Sequence, residues 1–354
     1  MKRIGIIDLD RLVNIPERYW AQHEFCFHLH DLMLGLLTKM EREQAAAVSF
    51  PLESDSEHEL LSDGLHVLDF LEQTGRGDLE KRVVINHLSI ALYADILNFL
   101  YEGLRALEKR KFSVALSLFR KPFKEGLLIA AQVCGNEDEF FHRMKFGANK
   151  ILGREDLQKE KVISYIEQAI MKCKGSRYVD AELIYSIAFD RGNYSGLAPL
   201  FDKATHLVTD FSKIRTENYN INFIFKDARD NDVYDDGVYE ILSKLLLFMN
   251  LMQIEIYSRM SSNNKKYQNW MMFTSLGAYE ALFSKGSPRL CRFINRNFGE
   301  FLLCSVCGGP LKIRKRDAAR FFIGETIDCN ECDTSQHFPL GWLLSKMNIN
   351  LFDS

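Results

Sequence analysis

Two Cys-x-x-Cys pairs near the C-terminal end constrain this chain more than any other stretch. Cys304-Ser-Val-Cys307 runs into Gly308-Gly309-Pro310, and Cys329-Asn-Glu-Cys332 follows after a gap of 21 residues. Such a pair can wrap a tight turn that aims two thiolates at one point, and adjacent glycines give the turn the backbone freedom it needs. Four thiolates make a closed tetrahedral site with no open position, so the metal is expected to hold structure and do no catalysis. Sulfur donors suit Zn²⁺ over the harder Mg²⁺ or Ca²⁺. The expected ligands are therefore Cys304, Cys307, Cys329 and Cys332, around one structural Zn²⁺ per chain. The alternative is two unrelated pairs of buried or disulfide-bonded cysteines.

In ligand type and spacing the segment resembles a zinc ribbon, a module used both for nucleic-acid contact and for protein docking. The charge distribution bears on that choice. The whole chain is at −3, which excludes a uniformly basic nucleic-acid binder. Residues 285–354, however, carry 10 Lys+Arg against 7 Asp+Glu, while residues 1–284 carry 35 against 41. The positive excess thus sits on and beside the cysteine segment.

A chain of 354 residues with 47% hydrophobic and 12% aromatic residues can bury a large core and exceeds one typical domain. No apolar run of 18 residues is free of charge, and the N-terminal residues lack a signal-peptide pattern. Cys26, Cys134, Cys173 and Cys291 show no spacing logic and read as buried free thiols. Together these features place the protein in a reducing cytoplasm, away from membranes.

Periodicity predicts a mainly α fold: a helical bundle in two halves with a small C-terminal zinc ribbon. The expected divisions are 1–215, 216–303 and 304–354. Residues 3–8 read as a short strand or extended lead-in. Helices are expected over about 16–44, up to Leu71, 78–110, 112–133, from Asn136, and over 155–172, 179–189 and 196–207. The short link between 78–110 and 112–133 implies an antiparallel pair, the spine of the bundle, with Pro122 kinking or breaking its second member. Residues 216–232 alternate and then become turn-rich, which predicts a loop or short hairpin between the halves. Further helices are expected over 237–260, 264–285 and 288–303. The first helix holds His23, Cys26, His28 and His30, but His28 and His30 lie about 200° apart on a helix and cannot share a metal.

Three constellations carry functional expectations. Arg289, Arg292 and Arg296 fall within about 60° on one helix, beside Arg314, Lys315 and Arg316 between the cysteine pairs. Together they make a candidate phosphate-contacting surface for RNA or DNA, set against the reading of an ordinary solvated face. In the spine, Arg82-Val-Val-Ile-Asn-His87 has the Arg-x4-His spacing of HEPN proteins, which it resembles over six residues; Arg18 and His23 repeat the spacing. The resemblance implies a helical bundle cutting RNA without metal, Arg82 stabilising the phosphorane charge and His87 moving the proton. Arg120 and Glu125, flanking Pro122, are similar to the Arg-then-Glu helix of bacterial abortive-infection proteins. They stand about 140° apart on a regular helix, so pairing needs the Pro122 distortion; Asp95 or His87 are alternative partners.

No Walker loop, dinucleotide fingerprint, His-Glu-x-x-His, Gly-x-Ser-x-Gly or kinase signature occurs. The leading expectation is a nucleic-acid-associated bacterial protein serving antiviral defence or acting as a toxin, in its sharpest version a HEPN-like ribonuclease. The competing expectation is a non-enzymatic interaction or sensor module that binds a protein partner or a second copy of itself, with the ribbon as its dock.

Overall fold

The computed structural model describes residues 3–223, 228–260 and 265–346. The chain is 66% helical, and the only sheet among these residues is a two-stranded one near the C-terminal end. The mainly α expectation is met.

The N-terminal segment contains a short helix, α1 (Leu9–Leu12), and α2 (Trp20–Arg42), entered through a 3-10 turn that starts just after Pro16. Buried residues lie all round the middle of α2: every residue from His23 to His30 is buried. It is the central helix of the body. Its one buried carboxylate, Glu24, is fully enclosed and accepts hydrogen bonds from the backbone N–H groups of Ile4, Gly5, Ile6 and Ile7 at 2.6–3.3 Å. Residues 3–8 are therefore neither strand nor free lead-in; they form a cradle of amides around a carboxylate, which satisfies a charge that burial would otherwise penalise.

The single helix expected before Leu71 is two: α3 (Asp55–Ser62) and α4 (Val67–Gln73), separated at Gly64, whose φ is +88°. Glycine adopts that left-handed conformation without a steric penalty, so it ends the first helix. The spine pair is α5 (Gly77–Leu107) and α6 (Phe112–Lys121), continued by α7 (Leu127–Gly135). Ile85, Ser89, Tyr93, Ile96, Leu100, Leu104 and Leu107 recur at three- and four-residue steps as the buried stripe of α5. Its glycine Gly103 faces the Phe119 ring, where a Cβ would lie only 2.3 Å from the ring, and Gly126 faces Ile96. Positions 103 and 96 thus meet 119 and 126 in reverse order, and the pair is antiparallel. Pro122 produces a π-helical turn from Pro122 to Gly126, with Leu127 N–H bonded to Pro122 C=O. Proline has no N–H for the regular ladder and crowds the preceding turn, which widens the helix instead of ending it.

Asn136 caps α8 (Glu137–Gly147), its side chain accepting from Glu139 N–H at 3.2 Å. Then follow α9 (Lys159–Lys172), α10 (Ala181–Ala188) and α11 (Ala198–Thr205). Residues 216–223 contain no strand; Thr216 N–H bonds to Thr209 C=O and Asn222 N–H to Leu207 C=O, so this stretch folds back as a loop. The rest of the expected hairpin, 224–227, lies outside the described residues. The turn expected just before 237 is instead helix, since α12 runs over Ala228–Ser258. Asp and Asn are only mildly unfavourable within a helix, at about 0.7 kcal/mol or less each, and Gly237 costs about 1 kcal/mol. The apolar run from Val238 to Tyr257 propagates through them.

The long α12 packs on α2 and α7: Gln253 donates to Met33 C=O at 3.1 Å, and Tyr93 of α5 donates to Met249 C=O at 3.1 Å. It is followed by α13 (Lys265–Phe283) and α14 (Arg289–Phe298), then α15 (Lys315–Gly324), β1 (Thr326–Asp328), β2 (Ser335–His337) and α16 (Leu340–Lys346). One continuous set of buried apolar side chains extends from Ile4 to Leu343. Among the described residues two helices, α5 and the Asp235–Ser258 part of α12, are long and apolar enough by length and composition to cross a membrane; 78% of the apolar window of the second is buried inside the protein.

Candidate metal centre

The cysteine segment is docked onto the helical body through α15 and α14. Phe322 of α15 packs over Gly277 of α13, where a Cβ would come within 2.3 Å of its ring, and makes an edge contact with Phe273 at 5.4 Å. Asn295 of α14 clamps the following chain by donating to Ile313 C=O at 2.8 Å and accepting from Ile313 N–H at 2.9 Å.

The two knuckles meet from opposite sides. The first is closed by Leu303 pairing with Pro310 and by Gly308 N–H donating to Cys304 C=O at 2.9 Å, with Gly308 at φ +71°. Here the left-handed conformation is the one glycine alone adopts freely. The second knuckle is the loop of the β1–β2 hairpin, whose antiparallel register pairs Thr326 with His337 and Asp328 with Ser335. Between the knuckles lies α15, so the ribbon-like unit carries a helical insertion that anchors it.

The four sulfurs lie within 4.8 Å of one another, and Cys304–Cys332 and Cys307–Cys329 are each 3.6 Å apart. A tetrahedron with metal–sulfur bonds of about 2.3 Å has edges of roughly 3.8 Å, so the donor set fits a single ion. Second-sphere donors are in place. Val306 and Cys307 N–H point at the Cys304 sulfur at 3.4 and 3.5 Å, Gln336 Nε2 reaches it at 2.8 Å, and Glu331 N–H points at Cys329 at 3.4 Å. The amide of Cys307, with that of Val306, draws the Cys304 thiol down to about 6, and hydrogen bonding with Thr334 lowers Cys332. Such donors favour thiolates, but several thiolates this close repel one another unless a cation stands among them. The arrangement is that of a ribbon-like metal site. Among the described residues it is the only cluster of His, Cys, Asp and Glu able to hold a metal.

The histidines of α2 do not gather. His23 Nδ1 meets Tyr239 OH at 3.1 Å, His30 pairs with Asp31 at 2.9 Å, and Cys26 meets Ser243 at 3.5 Å. Cys26, Cys134, Cys173 and Cys291 are buried free thiols.

The basic residues of the C-terminal region divide into two groups. Arg289 is half-buried against Glu280 and Tyr178, at 3.5 and 3.2 Å, and Lys315 donates to Ser284 C=O. Arg292, Arg296, Arg314 and Arg316 are exposed, Arg292 bonded to Ser287 C=O at 2.6 Å and Arg316 to Asp317 at 3.0 Å. In the spine, Arg82 pairs with Glu137, while His87 is exposed, its Nδ1 turned onto Val83 C=O at 2.8 Å. Arg120 and Glu125 do pair, at 3.7 Å, across the π-helical turn. Asp95 is taken by Lys121 instead, at 2.8 Å. Arg120 and Glu125 border a surface cleft with Lys124 and Arg191, and Arg82 and His87 are not among the residues that line it. Compared with known proteins, this chain matches no family model, no curated protein and no solved structure.

Proposed function

We propose that the C-terminal unit is a zinc-stapled platform that contacts nucleic-acid phosphates, and that the helical body carries it without catalysing a reaction. Zinc is the ion of choice because four thiolates in a closed tetrahedron exclude hard cations and leave no coordination position for substrate. The observation that carries the nucleic-acid reading is the Asn295–Ile313 clamp. On the helical wheel of α14, Asn295 borders the arginine stripe, about 60° from Arg292 and about 100° from Arg296. Its bonds to Ile313 therefore hold Arg314 and the exposed Lys312 beside that arginine stripe. Exposed cations fixed in one rigid frame lose little entropy on meeting a phosphate backbone, and the net negative charge of the remainder confines contact to this face.

The ribonuclease reading has the exposed His87 imidazole in its favour. Against it stands the Arg82–Glu137 ion pair, which commits the arginine that would have to stabilise the phosphorane.

The test is the salt dependence of single-stranded RNA or DNA binding. Four contacts from Arg292, Arg296, Arg314 and Arg316 give a log K against log salt slope of about −2.8, at about −0.7 per neutralised phosphate. Arg292→Glu, Arg296→Glu and Arg314→Glu together should weaken binding to all sequences alike and flatten the slope, with the metal retained. A triple variant that binds as the parent does would leave these arginines as solvated surface and favour protein docking.

A further inference from the structure

The π-helical turn borders a second feature, which the C-terminal platform does not use. A cleft of about 620 Å³ lies beside it, lined by Arg120, Lys124, Glu125, Tyr185, Phe189 and Arg191 among others. That volume is in the range of small-molecule sites, roughly 300–1,000 Å³. Its charge is unbalanced. The lining has three cations and one carboxylate; Lys124 and Arg191 share the buried Asp202, at 3.6 and 2.7 Å. Glu125 is half exposed and only loosely paired with Arg120, whose Nε is buried with no hydrogen-bond partner.

The three cations also crowd one another. Burial lowers the Lys124 pKa; Asp202 works against that shift, and both Arg191 and Arg120 add to it. A purely structural network would give each cation a carboxylate of its own; here one is missing, which is the condition an incoming anion relieves. The π turn creates the cluster. Its extra residue per turn lets Arg120 and Glu125 meet at i and i+5 and brings Lys124 to the same mouth.

The same cleft has an aromatic part, with the Lys159 ammonium 5.6 Å from the Tyr185 ring centroid. Tyr185 and Phe189, one turn apart at the end of α10, stack with ring centroids 6.2 Å apart and planes inclined by only 12°. Both are half-buried, so each keeps surface toward solvent. A cation cluster sharing one cleft with paired rings matches a ligand with a phosphate at one end and a planar ring at the other.

We propose that this cleft binds a 5′-mononucleotide, its phosphate seated on Arg120, Lys124 and Arg191 and its base against Tyr185 and Phe189. The site is separate from the basic C-terminal face and does not depend on that face binding nucleic acid. It gives the helical body a soluble ligand to which it can respond.

Isothermal titration calorimetry of the full chain with AMP, GMP, CMP and UMP tests the assignment. At least one should bind saturably at one site per chain. Ribose 5-phosphate and the matching nucleoside should each bind about tenfold more weakly, since the first loses the stacked base and the second the charged hydrogen bonds to phosphate. Arg191→Gln, at a side chain that is 48% exposed, should weaken the nucleotide at least about tenfold without altering far-UV circular dichroism. Lys124→Gln serves as the second cation variant. Tyr185→Ala should lose the preference for nucleotide over ribose 5-phosphate while keeping the weak phosphate affinity. Arg296→Glu with Arg314→Glu should leave nucleotide binding unchanged, which separates this site from the platform. The assignment is overturned if none of the four nucleotides binds saturably, if Arg191→Gln binds like the parent, or if ribose 5-phosphate binds as tightly as the nucleotide.

Discussion

Protein purified without chelator should contain about one zinc per chain, and stripping that zinc should unfold the C-terminal knuckles while sparing the helical body. Structural zinc typically binds thiolate sites with about 10–16 kcal/mol of apparent free energy at neutral pH, more than a small segment can replace with packing. Apart from the buried Ile327 and the Arg320–Asp328 ion pair, the first knuckle and the β1–β2 hairpin rest on short elements: two three-residue strands and one isolated bridge, with Cys307 exposed to solvent. Flanking elements have independent anchors. Phe322 stays wedged over Gly277, and Asn295 stays bonded to Ile313. Cys304→Ser and Cys329→Ser should therefore release the metal and open the knuckles, residues 303–310 and 328–335, to protease, with most far-UV helix signal retained. Metal analysis and limited proteolysis read the two effects separately. Chelator-free protein without zinc would refute the ion, and loss of most helix signal in Cys304→Ser would refute the independence of the body.

The metal cluster was legible because its information is local: two knuckles, each written in four residues with glycines behind one of them. The helices were legible for a similar reason, their apolar stripes recurring at helical steps. What the sequence hid depends on distant parts of the chain. No periodicity tells that residues 4–7 surround Glu24, a contact made 17–20 positions away. The turn expected before 237 failed because propagation from a strongly apolar helix overrides several weak local preferences. Pro122 was recognised as a distortion, yet whether it breaks, kinks or widens a helix depends on the neighbours packed against it. Here Ile96 against Gly126 and Gly103 against Phe119 keep both sides of the turn on α5. By sequence alone the six basic side chains of the C-terminal face are equivalent. Burial and pairing divide it, since Arg289 and Lys315 are spent on Glu280, Tyr178 and Ser284. The cleft between the π turn and α10 had one visible signal, Arg120 and Glu125 around Pro122; its aromatic wall lies more than fifty residues further along.

Acid should destabilise the body through its central helix, and His28 should supply about 3 kcal/mol of that loss. Its Nε2 is buried with no hydrogen-bond partner, and burial lowers its pKa to about 4, with Asp31 opposing the shift weakly. An unfolded histidine titrates near 6.5. Because the folded value lies below the unfolded one, protonation favours the unfolded chain. The stabilisation is complete above about pH 6.5, falls as pH drops, and is exhausted once pH passes below about 4. A difference of about 2.5 units at 1.36 kcal/mol each gives the stated size. His23 acts in the same direction: burial lowers its pKa, and hydrogen bonding to Glu108 only partly opposes this. The metal thiolates also protonate in acid, so the informative quantity is a difference between proteins. Urea unfolding of the parent and of His28→Leu, compared at pH 7 and pH 4, cancels contributions common to both. The variant should lose about 3 kcal/mol less over that interval than the parent does. Equal losses would mean that His28 takes up its proton in the folded state. The interior of α2 would then have to open to water there, against the complete burial of its neighbours Phe25, Cys26 and Leu29.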